Sequence, residues 1–234
     1  NISRAERFRR MILQKFGIRF FTGQETDILR FCFVISRESF FFRYTAGIFF
    51  IHAAEGEKDM GKLVLGQRGI AGEFGHNTIN YRGALCECGN RGCLEKYCSF
   101  LVFCENITRR LQAGEPSILS ENNLTAASIS DAVKTGDKVA REEYEKACEF
   151  LSIGIVNLIN QFNPGMIVIG DELAEVAPDL LLKIVCDKVH ACINPLVYND
   201  ITIEVNRLPE SPALLGAAAI AAQNVLSDPT KLMK

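Results

Sequence analysis

One stretch of the chain, from Gly72 to Glu95, combines metal-binding side chains with glycines and so restricts what this part can fold into. It reads GEFGHNTINYRGALCECGNRGCLE and contains one histidine, three cysteines, three glutamates and five glycines. Glycine is disfavoured inside helices and strands because it has the most conformational freedom to lose. The cysteines stand among Gly, Asn and Arg, where no hydrophobic core is built. We therefore expect a loop that something other than a core holds together.

The spacing of Cys86, Cys88 and Cys93 is typical of a structural zinc site. One residue separates the first two cysteines, and four separate the second from the third. Zn²⁺ prefers thiolate and imidazole ligands in a tetrahedral shell, and its structural sites use four protein ligands. The glycines between the cysteines let the backbone bring the third thiolate to the first two, and His76 upstream completes the set. The stretch therefore predicts one structural Zn²⁺ held by three cysteines and one histidine.

Two other interpretations of these cysteines stay open: a disulfide such as Cys86–Cys93, or thiols without a role. An intracellular setting disfavours the disulfide, and exposed reactive thiols at this density would be a liability. The other six cysteines stand mostly in apolar surroundings, and we interpret them as small buried hydrophobic residues. They are Cys32, Cys98, Cys104, Cys148, Cys186 and Cys192.

Composition and charge exclude several classes of protein. The chain has 234 residues, of which 48% are apolar, enough to bury a core rather than remain disordered. Its net charge of −2, with both signs mixed, is not typical of a nucleic-acid surface. No apolar run approaches the roughly 20 residues of a membrane-spanning helix, and no signal peptide is recognisable. We expect a cytoplasmic protein with no membrane partner, and we interpret the chain, which starts at Asn1, as the C-terminal part of a longer one.

The pattern of apolar residues predicts alternating helices and strands. KVAREEYEKACEFLSIGIVNLINQF is predicted as a long helix, with Asp137 as its N-cap and Asn163-Pro164-Gly165 as its stop. MIVIG and ITIEVNRL are predicted strands, with the helix APDLLLKIVCDKVHACI between them. SRAERFRRMILQKFG and SPALLGAAAIAAQNVL are predicted helices, and IRFFT, RFCFVI, SFFFRYT and GIFFIHA are predicted strands. This order favours a layered α/β fold.

GEFGH followed by CECGNRGCLE resembles the signature of the ROK family, named for repressors, open reading frames and kinases. The likeness is specific between Gly66 and Glu95. It is looser at SPALLGAAAIA and at NPGMIVIGDEL, which is similar to the family's adenosine-side strand and turn. The resemblance implies an α/β, actin-like (ribonuclease H-like) fold with two subdomains, a sugar cleft between them, and assembly into dimers or tetramers. Residues 1–54 would be a remnant of the N-terminal subdomain, and residues 55–234 the sugar- and zinc-binding subdomain.

The resemblance also implies a bound sugar or sugar phosphate, with Glu73, His76 and Glu95 contacting its hydroxyls and Gln24 in the same site. A histidine that gives one ring nitrogen to zinc has a fixed orientation, so its other nitrogen can meet a hydroxyl. Two carboxylates accept hydrogen bonds from neighbouring hydroxyls, which is the pattern that a sugar offers. The alternative interpretation makes Glu73 and Glu95 solvated loop carboxylates.

Two features of the family's kinases are altered in this sequence. The kinases carry Asn-Asp after a strand such as IRFFT, where the Asp is the general base; Gln24 and Glu25 stand in that place here. Their Gly-Thr-Gly phosphate loop corresponds to FFRYTAG, in which bulky side chains block the backbone N–H groups. A helix-turn-helix, which the family's repressors carry at the N-terminus, is not recognisable in this sequence.

Two functions therefore compete. The first is the sugar-sensing effector domain of a ROK-type transcriptional repressor of carbohydrate metabolism, which would reach DNA through an N-terminal domain that this sequence does not contain. The second is a sugar kinase of the glucokinase or N-acetylglucosamine kinase type, which would need ATP and Mg²⁺. The altered phosphate loop and Glu25 favour the first, so we do not expect kinase activity. A third interpretation is a zinc-stabilised fold without a ligand.

Overall fold

The structure, a computed structural model, describes residues 48–51, 67, 72–170, 172–198 and 201–206. All of them belong to one compact unit that comprises Phe42–Ala54 and Leu65–Arg207. The predicted division of the chain after residue 54 stays a prediction. Several expectations lie outside the described residues: the N-terminal helix, the strands before GIFFIHA, the FFRYTAG segment, the final helix, Gln24, Glu25 and Cys32.

Runs of helices, rather than single helices, separate the strands in the described part of the chain, and the region after Glu95 is mostly helical, as expected. In chain order the elements are β1 (Ile48–Ile51), a 3₁₀ turn (Phe74–His76), α1 (Glu95–Cys98), α2 (Phe100–Gln112), α3 (Ala126–Thr135), α4 (Lys138–Phe162), β2 (Met166–Ile169), α5 (Glu172–Val176), α6 (Pro178–Cys192), α7 (Pro195–Tyr198) and β3 (Thr202–Val205). The predicted strands GIFFIHA, MIVIG and ITIEVNRL are confirmed as β1, β2 and β3.

The sheet of the described residues has the order β1-β2-β3, with β2 in the middle. β1 runs antiparallel to β2, with Ile48 opposite Ile169, and β3 runs parallel to β2, with Met166 opposite Thr202. The parallel pair is joined through α5, α6 and α7, because parallel strands need a long crossover connection. Ile167 and Ile169 are fully buried, as befits a central strand with neighbours on both sides.

Helix α4 is the central helix of the unit, and it starts and ends where the sequence predicts. The carboxylate of Asp137 accepts a hydrogen bond from the amide of Ala140 at 2.9 Å, which satisfies a free N–H of the first turn. The helix ends at Asn163, whose φ of 41° is left-handed. Its apolar face, which includes the fully buried Tyr144 and Leu151, packs against α1, α2, α3 and α6.

The five described cysteines other than Cys86, Cys88 and Cys93 differ in their burial. Cys98 and Cys148 are buried, as predicted, and burial raises the pKa of Cys148 to about 12. Cys104 and Cys186 are half-buried. Cys192 is exposed, so the prediction of burial is wrong for it, because it is the last residue of α6 and lies beyond the core.

None of the helices that the structure describes is both long and apolar enough to cross a bilayer.

Candidate functional site

The glycine-rich stretch forms a loop that isolated backbone bridges close, rather than regular strands. It begins with the 3₁₀ turn Phe74–His76. Further along, Thr78 pairs with Cys93, and Leu85 pairs with Arg91, both in antiparallel bridges. The two arms of the loop therefore run back past one another, and residues from both arms meet.

Gly92 is required where the two arms touch. Its φ of 66° is left-handed, which favours glycine. Its carbonyl oxygen accepts a hydrogen bond from the amide of Ile79 at 2.8 Å. A Cβ at this position would lie 1.6 Å from the carbonyl oxygen of Asn80. Only glycine permits this approach, which brings Cys93 beside His76.

His76, Cys86, Cys88 and Cys93 converge, and their ligand atoms all lie within 4.8 Å of one another. Sγ of Cys86 is 3.6 Å from Nδ1 of His76, and Sγ of Cys88 is 3.6 Å from Sγ of Cys93. With bonds of about 2.3 Å to sulfur and about 2.0 Å to nitrogen, a tetrahedral zinc site places two sulfurs roughly 3.7 Å apart and sulfur and nitrogen roughly 3.5 Å apart. All three thiols are free. The donor set and its spacing therefore fit a tetrahedral metal ion.

The three thiols differ in their acid–base properties. Burial raises the pKa of Cys93 to about 12, and the neighbouring Cys88 and Cys86 add to this rise. Burial likewise raises the pKa of Cys86. The exposed Cys88 differs, because a hydrogen bond from the amide of Asn90 lowers its pKa. Thiolates this close repel one another unless a cation lies between them, and thiols that bind a metal are deprotonated by it.

Glu95 is buried in the first turn of α1, beside the histidine. Its Oε2 lies 3.3 Å from Nδ1 of His76. The two atoms are close, but this oxygen has no hydrogen-bond partner in the part of the chain that the structure describes. Burial raises the pKa of Glu95, and the charge of His76 opposes the rise. Because a buried acceptor without a donor is costly, this oxygen supports the prediction that Glu95 contacts a ligand, which stays a prediction.

Glu73 approaches the same imidazole from its other nitrogen. Oε2 of Glu73 is 3.8 Å from Nε2 of His76, and both side chains are partly exposed. Nδ1 thus lies near Sγ of Cys86 and Oε2 of Glu95, whereas Nε2 lies near Oε2 of Glu73. The structure brings together three of the four residues predicted to contact a sugar, Glu73, His76 and Glu95; Gln24 lies outside the described residues. Their contact with a sugar stays a prediction.

An ion pair that the sequence analysis missed ties the cysteine loop to α1. Nζ of Lys96 donates a hydrogen bond to Oε1 of Glu87 at 2.6 Å. Glu87 stands between Cys86 and Cys88, and Lys96 follows Glu95. The only sequence signal for the pair is one acidic and one basic residue nine positions apart, and most such residues are simply solvated.

Tyr97 is a second residue that the sequence analysis missed. Its Oη accepts a hydrogen bond from Nδ2 of Asn80 at 3.2 Å. A Cβ at Gly83 would lie 1.8 Å from the same Oη. Tyr97 therefore packs α1 against the bare backbone of the loop, and Gly83 leaves the room for it.

Taken together, the fold and the site define an α/β protein in which four side chains that could hold a metal ion lie beside the carboxylates of Glu73 and Glu95. Residues 60–224 match the ROK family. The chain is 34% identical over 172 residues to the xylose repressor of Caldicellulosiruptor bescii, a match that covers 72% of this chain and 43% of the repressor. It therefore spans less than half the length of this relative.

Solved structures show the same likeness. A ROK family transcriptional regulator, a homologue of the E. coli MLC protein, is similar with a TM-score of 0.61 and 30% identity, over 70% of this chain and 41% of the regulator. A ROK family glucokinase from Streptomyces griseus, solved with glucose and AMPPNP, has a TM-score of 0.60 and 26% identity, over 70% of this chain and 55% of the kinase. The chain belongs to the ROK family. The predicted actin-like α/β fold is confirmed.

Proposed function

We propose that this chain is the sugar-sensing effector domain of a ROK-type transcriptional repressor of carbohydrate metabolism and that it contains a structural Zn²⁺. The observation that carries the proposal is the position of His76. Its Nδ1 lies 3.6 Å from Sγ of Cys86, and its Nε2 lies 3.8 Å from Oε2 of Glu73. One imidazole thus joins the metal donors to the carboxylates of a ligand site.

The Zn²⁺ is held by His76, Cys86, Cys88 and Cys93. Four protein ligands fill a tetrahedral shell, so no position is left for a substrate and the ion is structural. When bound, it cross-links the two arms of the loop. Many side chains between Thr78 and Arg91 are exposed, so the loop has little apolar burial of its own and depends on the metal for its order.

The sugar is bound by hydroxyl contacts to Glu73, His76 and Glu95. The metal at Nδ1 fixes the tautomer of His76 and leaves Nε2 for a hydroxyl. The buried Oε2 of Glu95, which has no donor among the described residues, gains one from the sugar. Two carboxylates at the site favour a neutral monosaccharide, or a sugar phosphate whose phosphate points away from them, because like charges repel at short range. Gln24, which lies outside the described residues, stays a predicted fourth contact to the sugar.

The choice of a repressor over a kinase rests on the relatives and on the altered phosphoryl-transfer residues. A xylose repressor and a ROK transcriptional regulator are among the proteins similar to this chain. The place of the kinases' general base holds Glu25, and FFRYTAG stands in place of a glycine-rich phosphate loop. Phosphoryl transfer depends almost wholly on positioning and charge stabilisation, so these two changes remove what the reaction needs most.

The partners follow from this assignment. DNA is bound through an N-terminal domain of the full-length protein, and the chain assembles as a homodimer or homotetramer in the cytoplasm. The alternative function is a sugar kinase, which the likeness to the Streptomyces griseus glucokinase supports. Only this alternative requires ATP and Mg²⁺.

A coupled ADP-release assay on the full-length, zinc-loaded protein separates the two functions. It should use several hexoses and pentoses with magnesium-ATP, and a ROK glucokinase as the positive control. We expect no turnover above background. Turnover at an ordinary kinase rate, roughly 1–100 per second, would overturn the repressor assignment and establish the kinase.

A further inference from the structure

Gly154 lies in the middle of α4 at the point where the loop and α1 rest on it. A Cβ at Gly154 would lie 2.4 Å from Cδ2 of Leu94, 3.3 Å from its Cδ1 and 3.4 Å from its Cγ. Contacts shorter than 3 Å force a neighbour to move, so the side chain of Leu94 occupies a notch that only glycine leaves. Leu94 is fully buried in that notch.

A second contact holds α1 on the same face of α4. The ring of Tyr97 packs on the ring of Phe150, with their centroids 4.7 Å apart. Phe150 and Gly154 are four residues apart on α4, so they lie one turn apart on one face of the helix. Leu94 and Tyr97 are three residues apart at the start of α1. Gly154 and Phe150 on one face of α4 thus contact Leu94 and Tyr97, respectively.

We infer that Gly154 and Leu94 are positioning residues for the site, because their contact sets where Cys93 and Glu95 lie. Leu94 stands directly between these two residues in the chain. A displacement of Leu94 therefore moves a metal donor on one side and the buried carboxylate on the other. The part of this inference that concerns the sugar rests on the proposed function; the part that concerns the metal donors rests on geometry alone.

Leu94 has no easy way to yield to a larger residue at Gly154. Its amide donates a hydrogen bond to the carbonyl of Asn77 at 2.9 Å, and its carbonyl accepts one from the amide of Cys98 at 3.3 Å. Its side chain is enclosed by the core, so it has no solvent into which it could turn. Because this side chain is enclosed, we expect a larger residue at Gly154 to shift the backbone that carries Cys93 and Glu95 as well as the end of the Leu94 side chain.

Gly154→Ala should change helix propensity and ligand affinity in opposite directions. Alanine in place of glycine inside a helix ordinarily favours the helix, so α4 alone would gain from Gly154→Ala. We expect the full-length protein to lose instead. Zinc affinity, measured by competition with a chromogenic chelator, should fall roughly tenfold or more. The affinity for whichever monosaccharide the wild type binds should fall similarly, because one hydrogen bond to a charged acceptor is misplaced.

A double variant that conserves the total side-chain volume distinguishes a positioning role of Gly154 from a general loss of folding. Leu94→Val shortens the side chain that packs on Gly154, and Gly154→Ala adds a methyl group to the surface of α4 that it contacts. The double variant should bind zinc and sugar more tightly than either single variant. Its Co²⁺-substituted form should show the ligand-field spectrum of the wild type, whereas Gly154→Ala should show a weakened or shifted spectrum, since those bands report tetrahedral geometry.

The zinc and sugar affinities of the variants decide whether Gly154 positions the site. Wild-type zinc and sugar affinities in Gly154→Ala would overturn the inference. A double variant that binds zinc no more tightly than the better of the two single variants would also overturn it, and this comparison holds even if Gly154→Ala folds poorly. If the wild type binds no sugar, the proposed function fails, while the zinc and Co²⁺ measurements still decide whether Gly154 positions Cys93.

Discussion

Oε2 of Glu95 lies 3.3 Å from Nδ1 of His76, the ring nitrogen that is also 3.6 Å from Sγ of Cys86. The buried carboxylate and the thiol cluster are therefore neighbours through a single imidazole. A change in the metal site must reach the carboxylate, and a ligand on the carboxylate must alter the surroundings of the metal site. We expect metal occupancy and ligand affinity to be linked in this protein.

Cys88→Ser should remove the metal from the site. A serine hydroxyl is a poor replacement for a thiolate ligand of zinc, so the variant should contain almost no zinc, whereas the wild type should contain one zinc per chain. Its thermal midpoint should be lower than that of the zinc-loaded wild type and close to that of chelator-treated wild type. Elemental analysis and thermal unfolding measure both quantities.

Cys192→Ser is the matched control, because Cys192 is an exposed thiol outside the cluster. It should retain the wild-type zinc content and midpoint. Wild-type protein that contains no zinc, although never exposed to chelator or oxidant, would contradict the metal assignment.

Asp137 should make the stability of α4 sensitive to acid. Its carboxylate accepts hydrogen bonds from the amides of Ala140 at 2.9 Å and Ile118 at 2.7 Å. Burial alone would raise the pKa of Asp137, but these hydrogen bonds outweigh it and lower the pKa below the ordinary 3.8. Because the folded pKa is the lower one, the stabilisation is present above about pH 3.8 and is lost as the pH falls further.

Two variants of Asp137 distinguish the stabilisation due to its N-capping hydrogen bonds from the pH dependence due to its charge. Asp137→Asn keeps a good N-cap, so its stability at neutral pH should change little, but the acid loss due to this residue should disappear. Asp137→Ala should lose about 1 kcal/mol at neutral pH. Urea unfolding at pH 7 and pH 3 measures both effects. An Asp137→Asn protein with the same acid loss as the wild type would show that another group titrates.

Arg110 should stabilise the packing of α2 on α4. Its guanidinium contacts the carboxylates of Glu115, Glu142 and Glu143, and the side chain of Glu143 is largely buried. The hydrogen bonds to Glu115 and Glu142 raise the pKa of Arg110. Arg110→Met leaves a buried carboxylate without its strongest partner, which should cost roughly 1–3 kcal/mol of unfolding free energy in urea.

Arg141→Met is the control for a surface pair. Arg141 contacts Glu145 at 2.9 Å, but both side chains are exposed, and such pairs contribute about 0–1 kcal/mol. Equal losses in the two variants would mean that Arg110 is no more than a surface charge.

The helices and strands near strong local signals could be predicted from the sequence. Asp137, Asn163 and Pro164 define both ends of α4, because caps and proline act within a few residues. The convergence of His76 with the three cysteines could be predicted as well, since donor type and spacing alone suggest a zinc site.

Features that depend on distant packing could not be predicted. Glu95 has the sequence context of a solvated loop carboxylate, yet the structure buries it in the first turn of α1, which packs on α4. Gly154 looks like an unfavourable residue inside a helix, and its role as a notch for Leu94 is visible only once both are placed. The exposure of Cys192 also depends on where the core ends, which the apolar sequence VHACI does not indicate.

Calorimetric titration of monosaccharides into the full-length, zinc-loaded wild type and its Glu95→Ala variant tests the central claim most directly. Glu105→Ala, which removes an exposed glutamate from α2, is the control. The panel should include xylose, glucose, N-acetylglucosamine and their phosphates. We predict that the wild type and Glu105→Ala bind one of these sugars alike, and that Glu95→Ala binds it roughly tenfold more weakly or worse. Equal binding by the wild type and Glu95→Ala, or no binding by the wild type, would contradict the account.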